Sequence, residues 1–339
     1  MGSVAIVNLH EDLIMKSIAI RFAAAALGLS GMGVALHASA ADYPSKPVRI
    51  IVPFSPGGGT DIQARLLATA FTDSMGQTFI VDNRTGASGL IGAQLAVDAP
   101  PDGYTILFTT ASLAVNSTLY ADRMKFSMQK DLAPISWITS APLVLSVHPN
   151  VPATTVPELV KLAQSKPGLL NNGVNTIGST SHLSAEMFKQ MAGVKTGIVP
   201  YRGGGPATVA LVAGEIDMLF ATAPSVMPHL KSGRVRALAV TTPKKASALP
   251  DLPTMNTFYP GFESDNWYAM FFPDGTLKPM VDKMVSEIRK ALESRSVREF
   301  MEREGLDPVA SSPAELAALV KSEIPKYAQV IQRGHIAAK

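Results

Sequence analysis

The chain predicts an α/β fold in two domains, each a mostly parallel sheet flanked by helices. Three observations carry this expectation. The 339 residues suit two domains of ordinary size better than one. Short apolar runs alternate with longer amphipathic segments, the rhythm of strands joined by crossover helices. Two excursions, near residues 140 and 265, suggest that the chain leaves a first domain and returns to it. The expected division is an N-terminal extension with a leader over 1–40, the first part of domain 1 over 41–141, domain 2 over 142–265, and the second part of domain 1 over 266–339.

The elements follow in order. Val48–Val52 reads as a strand, and Thr60–Met75 as a helix with Ile62, Leu66, Leu67, Ala70 and Phe71 on one side. Phe79–Val81 and Tyr104–Phe108 are further strands, the latter after the turn Pro101-Asp102-Gly103. Ile135–Thr139 and Leu143–Val147 are two strands in succession. Thr155-Val-Pro-Glu158 has capping-box spacing, as does Ser312-Pro-Ala-Glu315. Ile198–Val199, Ile216–Ala221 and Val235–Val240 are strands separated by helical segments. Trp267–Phe272 is a single apolar crossing, and Val281–Leu292 an amphipathic helix.

Composition removes whole classes of function. With 47% hydrophobic and 17% charged residues, disorder is excluded as the main state. The chain has no cysteine, so disulfides, thiolate zinc, iron–sulfur clusters and thiol nucleophiles are all ruled out. The pI is near 9.0, yet the excess is only +3. The basic stretches Lys231–Arg236 and Lys244-Lys245 carry no interleaved aromatics, so they read as solvated faces and no nucleic-acid partner is expected. From Met15, Lys16 and Arg21 form a basic start, Phe22–Leu36 an apolar core and Ala38-Ser39-Ala40 a small-residue cleavage site. This is the layout of a secretory leader cleaved after Ala40, and the apolar run is shorter than a membrane span needs. Met15 stands as an alternative start to Met1.

The chain also echoes itself. Ile51-Val-Pro-Phe54 runs into Ser55-Pro-Gly-Gly-Gly59 and a helix, and Ile198-Val-Pro-Tyr201 runs into Arg202-Gly-Gly-Gly205 and a helix. Triple glycine lets backbone approach a ligand, and the helix start beyond it offers unpaired N–H groups to an anion. Two tight turns without a ligand are the alternative. Neither loop ends as a Walker sequence does. Gly178-Ser-Thr-Ser-His182 is a third loop at a helix start, where hydroxyls can cap the helix or donate to a carboxylate. Thr109-Thr-Ala-Ser112 is a similar polar strand end.

No catalytic constellation accompanies these loops. The chain has no H-E-x-x-H, no G-x-S-x-G and no close metal spacing, so neither metal nor cofactor is expected. His182 can cap, pack or touch a ligand, and Asp61 can serve as a base or as a helix-start cap. Trp267-Tyr268 either walls a pocket or fills a core.

The chain resembles the periplasmic solute receptors of tripartite tricarboxylate transporters, the Bug or TctC-like family. The matching stretches are Tyr43–Phe54, Pro56–Asp61, Val81–Gly86, Pro101–Tyr104, Val199–Gly203, Arg236–Thr241 and Leu249–Thr254, in order along the chain. The resemblance implies a two-domain periplasmic-binding-protein fold, type II-like, with the ligand cleft between the domains. It implies a periplasmic monomer that takes a small organic acid (a dicarboxylate, a tricarboxylate, an aromatic carboxylate or an amino acid) and delivers it to a membrane permease. It places ligand contacts on Ser55, Gly58, Gly59, Thr60 and Asp61 in one jaw, and on Thr180, Ser181, His182, Tyr201 and Gly203 in the other. Thr109 and Ser112 join them from the polar strand end. Thr85 stands where the family often has proline, and three glycines follow Pro56 where two are more common. The competing reading is an α/β enzyme acting on a carboxylate, with Asp61 or His182 as acid/base.

Overall fold

A computed structural model of the chain describes residues 43–337. The leader and its cleavage site after Ala40 lie outside the described residues. The first sheet is built from β1 (Val48–Val52), β2 (Phe79–Asn83), β3 (Thr105–Thr110), β4 (Leu132–Ser140), and the late strands β10 (Tyr268–Pro273) and β11 (Asp307–Pro308). Its order is β11-β4-β10-β3-β1-β2. Helices α1 (Gly59–Met75), α2 (Leu90–Val97) and α3 (Ser112–Leu119) connect its early strands. The second sheet is β7-β6-β8-β5-β9, made of β5 (Leu143–Val147), β6 (Asn171–Val174), β7 (Gly197–Pro200), β8 (Met218–Thr222) and β9 (Arg236–Val240). Between these strands run α4 (Val156–Ser165), α5 (Thr180–Ala192), α6 (Gly204–Ala213) and α7 (Ala223–Lys231), with the short α8 (Met255–Phe258) after β9. The chain ends in α9 (Lys278–Glu293), α10 (Arg295–Glu304) and α11 (Pro313–Arg333).

Both sheets keep most of their strands in one direction, as expected, and each also takes in strands that run against the rest. β1 is parallel to β2 and β3, and β6 to β7 and β8. β10 runs antiparallel to β3 and β4, and β5 antiparallel to β8 and β9. The physical reason is the double crossing. β5 and β10 each arrive from the other sheet rather than through a crossover helix, so they are free of the constraint that keeps βαβ strands parallel. β10 also supplies ladder partners to Thr109 and Thr110, which extends β3 two residues beyond its apolar run.

The two crossings lie side by side. Ala141 N donates to Asp265 Oδ1 at 2.9 Å, Ser140 Oγ to Asp265 Oδ2 at 2.5 Å, and Asn266 N to Ala141 O at 3.2 Å. α11 then packs on α3, β4 and α5, touching the layers of both sheets. The buried apolar residues accordingly form a core that runs from Ile51 and Leu107 through Trp267 and Tyr327 to Leu145 and Phe220. From Pro44 onward the chain packs as one compact unit. Among the described residues no helix is long and apolar enough to cross a membrane.

The caps behave as their spacing suggests, with one shift. Ser312 Oγ accepts from Glu315 N and Glu315 Oε2 accepts from Ser312 N, a complete box at the start of α11. At α4 the Glu158 carboxylate instead takes Thr154 N at 2.7 Å, one residue before the cap. Close approach matters most at Gly92 in α2. A Cβ there would meet Arg84 O at 2.6 Å and Pro53 Cα at 2.9 Å, both backbone atoms. Gly92→Ala should therefore lose about 1–3 kcal/mol in urea unfolding, the usual cost of overpacking. Gly205→Ala, which opens onto free space, should stay within about 0.5 kcal/mol of the parent.

Candidate functional site

A cavity of about 400 Å³ lies between the two sheets. Its wall is assembled from the N-termini of five helices: Gly58, Gly59 and Thr60 at α1, Ser112 at α3, Ser179 and Thr180 at α5, Gly203–Gly205 at α6, and Thr222, Pro224 and Ser225 at α7. A helix start carries N–H groups without intrahelical partners and the positive end of a dipole, though Ser112 N is taken by Thr110 Oγ1 and Ala223 N by Pro142 O. Gly58 and Gly203 cap α1 and α6 with no side-chain hydrogen bond, so these amides are not consumed by a capping side chain. Gly203 holds φ +122°, a conformation glycine adopts without strain. Gly203 N donates to Asn175 O at 2.7 Å, which sets the second glycine loop against the end of β6.

The floor comes from the crossing strand. Thr180 Oγ1 donates to Asn266 Oδ1 at 3.1 Å, and Asn266 Nδ2 donates to Tyr268 Oη at 3.2 Å. Burial pushes the Tyr268 hydroxyl up to about 12, so it stays neutral at every ordinary pH. Its ring stacks on Phe108 with centroids 6.0 Å apart. A Cβ on Gly59 would come 3.2 Å from Tyr268 Oη, tight enough to force the hydroxyl aside. Among the described residues the wall contains no lysine, arginine or histidine. Its one carboxylate, Glu304, is paired with Arg303 at 2.9 Å.

The structure brings Gly58, Gly59, Thr60, Ser112, Thr180 and Gly203 into one wall. Ser55 lies in an adjoining chamber that shares Phe54, Ser112, Thr176 and Ser179 with it. The other expected residues face elsewhere, each for a physical reason. Thr109 gives way to Thr110, because successive strand residues point to opposite faces. Asp61 is 3% exposed, accepts from Gly57 N at 2.8 Å and pairs with Arg65 at 2.9 Å. Burial alone would raise its pKa, but the hydrogen bonds from Arg65 and Gly57 outweigh that and hold it below the usual range. Ser181 is wholly buried beside the core. His182 Nδ1 accepts from Gly178 N at 3.2 Å and closes the loop on itself; burial depresses its pKa, with Glu186 opposing. Tyr201 is half-buried and packs over Gly173 in the second sheet. Gln63, Thr110, Asn175, Ser225, Asn266 and Tyr268 line the cavity without having been expected there. The polar β3 end signalled Thr110, and Trp267-Tyr268 already posed wall against core. Nothing local marked the others.

Two α/β layers facing across a polar cleft ringed by helix starts define a solute-binding receptor. The model of the tripartite tricarboxylate transporter family receptor matches residues 63–336, and the chain belongs to that family. It is 35% identical to Protein BugT of Bordetella pertussis (strain Tohama I) over 303 residues, which cover 88% of this chain and 93% of that one. The structure of R. palustris Rpa4515 with adipate superposes with a TM-score of 0.79 at 35% identity, over 87% of this chain and 99% of that one. MatC of Rhodopseudomonas palustris with bound malate gives a TM-score of 0.76 at 29% identity, over 85% and 100%.

The crossing carries a pH signature. Burial pushes Asp265 up to about 6 from 3.8, against the pull of its bonds from Ser140 and Ala141. The folded state therefore holds this proton more tightly than the unfolded state, and the associated stability is lost as pH rises from about 4 to above 6. Buried His182 works in the opposite sense, losing stability as pH falls below about 6.5. Comparing Asp265→Asn with the parent cancels the histidine. The variant's melting temperature, relative to the parent's, should rise between pH 4 and pH 7; a constant difference would count against this assignment.

Proposed function

We propose that this receptor captures a small organic carboxylate in the cleft, in the periplasm and as a monomer, and passes it unchanged to the membrane permease of a tripartite tricarboxylate transporter. One observation carries the reading: five helix N-termini converge on a cavity that, among the described residues, has no cationic side chain in its wall. Such a site favours an anion held by main-chain N–H groups and hydroxyls. The relatives solved with adipate and malate support the ligand class. The two jaws are Gly58–Thr60 with Ser112, and Thr180 with Gly203, while Ser55 faces the adjoining chamber. Asp61 and His182 act as loop ties, which argues against their serving as acid and base of an enzyme. Arg202 is exposed and absent from the wall, so the glycine loops bring no cationic side chain to the grip. The sheet memberships support lobes of 41–141 with 266–339, and of 142–265, and the paired crossings supply a hinge for closing them on a ligand.

Titration calorimetry against a panel of dicarboxylates, tricarboxylates, aromatic carboxylates and amino acids, led by adipate and malate, tests this directly. At least one should bind, and Gly59→Val, shown to be folded, should weaken it by about tenfold or more, roughly 1.4 kcal/mol. Undiminished binding would mean that the first glycine loop is only a turn. Export is checked separately. Intact-mass analysis of periplasmic protein should find a chain beginning at Ala41, whereas a retained leader in a membrane fraction would refute the cleavage assignment.

A further inference from the structure

Beside the helix starts, the cleft floor holds two side-chain donors whose hydrogens have no acceptor among the described residues. Gln63, 1% exposed, lines the cavity from α1. Its Oε1 accepts from Thr139 Oγ1 at 3.0 Å, while its buried Nε2 finds no partner among the described residues. Tyr268, 3% exposed, accepts from Asn266 at its hydroxyl oxygen. That bond is one step of a directed relay: Thr180 donates to Asn266, and Asn266 donates to Tyr268. With its oxygen taken, Tyr268 has its own hydrogen left to give. The two donors are neighbours. Tyr268 stands opposite Thr139 in the β10–β4 register, and Thr139 is the residue that anchors Gln63. Gly59, whose amide begins α1, sits against the same hydroxyl.

Leaving a buried donor unpaired costs on the order of 1–3 kcal/mol, and two such donors side by side in a cavity wall call for a ligand that accepts without donating. A carboxylate meets that demand with two oxygens, whereas an ammonium or a primary amide presents hydrogens of its own. We propose that Gln63 and Tyr268 are the specificity-determining pair of this cleft, a neutral double donor that takes a carboxylate oxygen of the ligand alongside the α1 amides. The inference rests on the carboxylate-receptor reading. It extends that reading to side chains on β10 and on the second turn of α1, outside both glycine loops.

The test uses the full exported chain and the tightest-binding member of the panel above, starting with adipate and malate. Tyr268→Phe keeps the ring and deletes the donor. Gln63→Met keeps the length and deletes the donor, and Gln63→Glu puts a negative charge in its place. Hydrogen bonds to charged groups are worth more than neutral ones, so calorimetry should show Tyr268→Phe and Gln63→Met each losing about tenfold or more in affinity. Gln63→Glu should lose further, ordering the series parent, methionine, glutamate. A residue that merely packs would let Gln63→Met bind as the parent does, since only the charge of Gln63→Glu would then repel the ligand, so parental affinity in a Gln63→Met variant that melts like the parent would overturn the role of Gln63. Parental affinity in folded Tyr268→Phe would do the same for the tyrosine. If no carboxylate binds the parent, both this inference and the receptor reading fall; if the parent binds and the variants match it, only this inference falls.

Discussion

Everything in the cleft depends on how the two sheets are tied together. The chain passes from β4 to β5 through Ala141-Pro142 and returns to β10 through Ser264–Trp267, and one carboxylate, that of Asp265, grips the outgoing strand by Ser140 Oγ and Ala141 N. The partly desolvated charge raises its own pKa, so the tie is held at an electrostatic cost. Ser184 Oγ to Ser264 Oγ at 2.7 Å and Thr241 Oγ1 to Ser264 O at 2.5 Å add hydroxyl bonds that fasten the returning strand to the second sheet. α11 spans the same junction, where Glu323 accepts from Trp267 Nε1 at 3.3 Å and pairs with Lys326. A junction this short sets the spacing and facing of the two layers, and so brings helix starts from both onto one cavity.

The chemistry of that cavity follows from a choice about desolvation. A buried lysine or arginine would bind an anion strongly, yet in the free protein it would stand as an uncompensated charge of high cost. Backbone amides at helix starts carry only partial charges and are fixed by the helices they begin. They hold an anion by many modest contacts and make its release feasible, which suits a receptor that must hand its ligand on. Glycine at the caps leaves no side chain between amide and ligand. A neutral tyrosine and a glutamine amide extend the same strategy to side chains.

The residues that could have marked an enzyme have structural work. Asp61 gathers Gly57 N and Arg65 and thereby shapes the first glycine loop from behind. His182 performs the equivalent task on the loop before α5, accepting from Gly178 N. Both follow closely on wall residues, Asp61 after Thr60 and His182 two after Thr180, yet neither lines the cavity. Their place beside a candidate site is what made them ambiguous in the sequence.

Local signals carried a large part of this protein. Apolar runs placed β1, β5 and β9, the Ser312–Glu315 spacing placed the start of α11, and the repeated aromatic-plus-glycine pattern located both glycine jaws, because each depends on residues adjacent in the chain. The Asn171–Val174 strand, with two asparagines and a glycine, had no such signal; it is a strand because β7 and β8 flank it. The same holds for the site. Gly58, Gly59 and Gly203 were legible as glycine loops at helix starts, whereas Gln63, Asn175 and the pair Asn266 and Tyr268 belong to three separate segments and meet only when the crossings set one sheet against the other. Strand direction and side-chain facing, which sent Thr110 rather than Thr109 into the cavity, are decided by ladder partners distant in sequence. What the sequence by itself determined is where backbone could bend, cap and approach a ligand. The tertiary structure alone decided which side chains share the cavity, since that proximity is a property of the packed sheets and not of any stretch of chain.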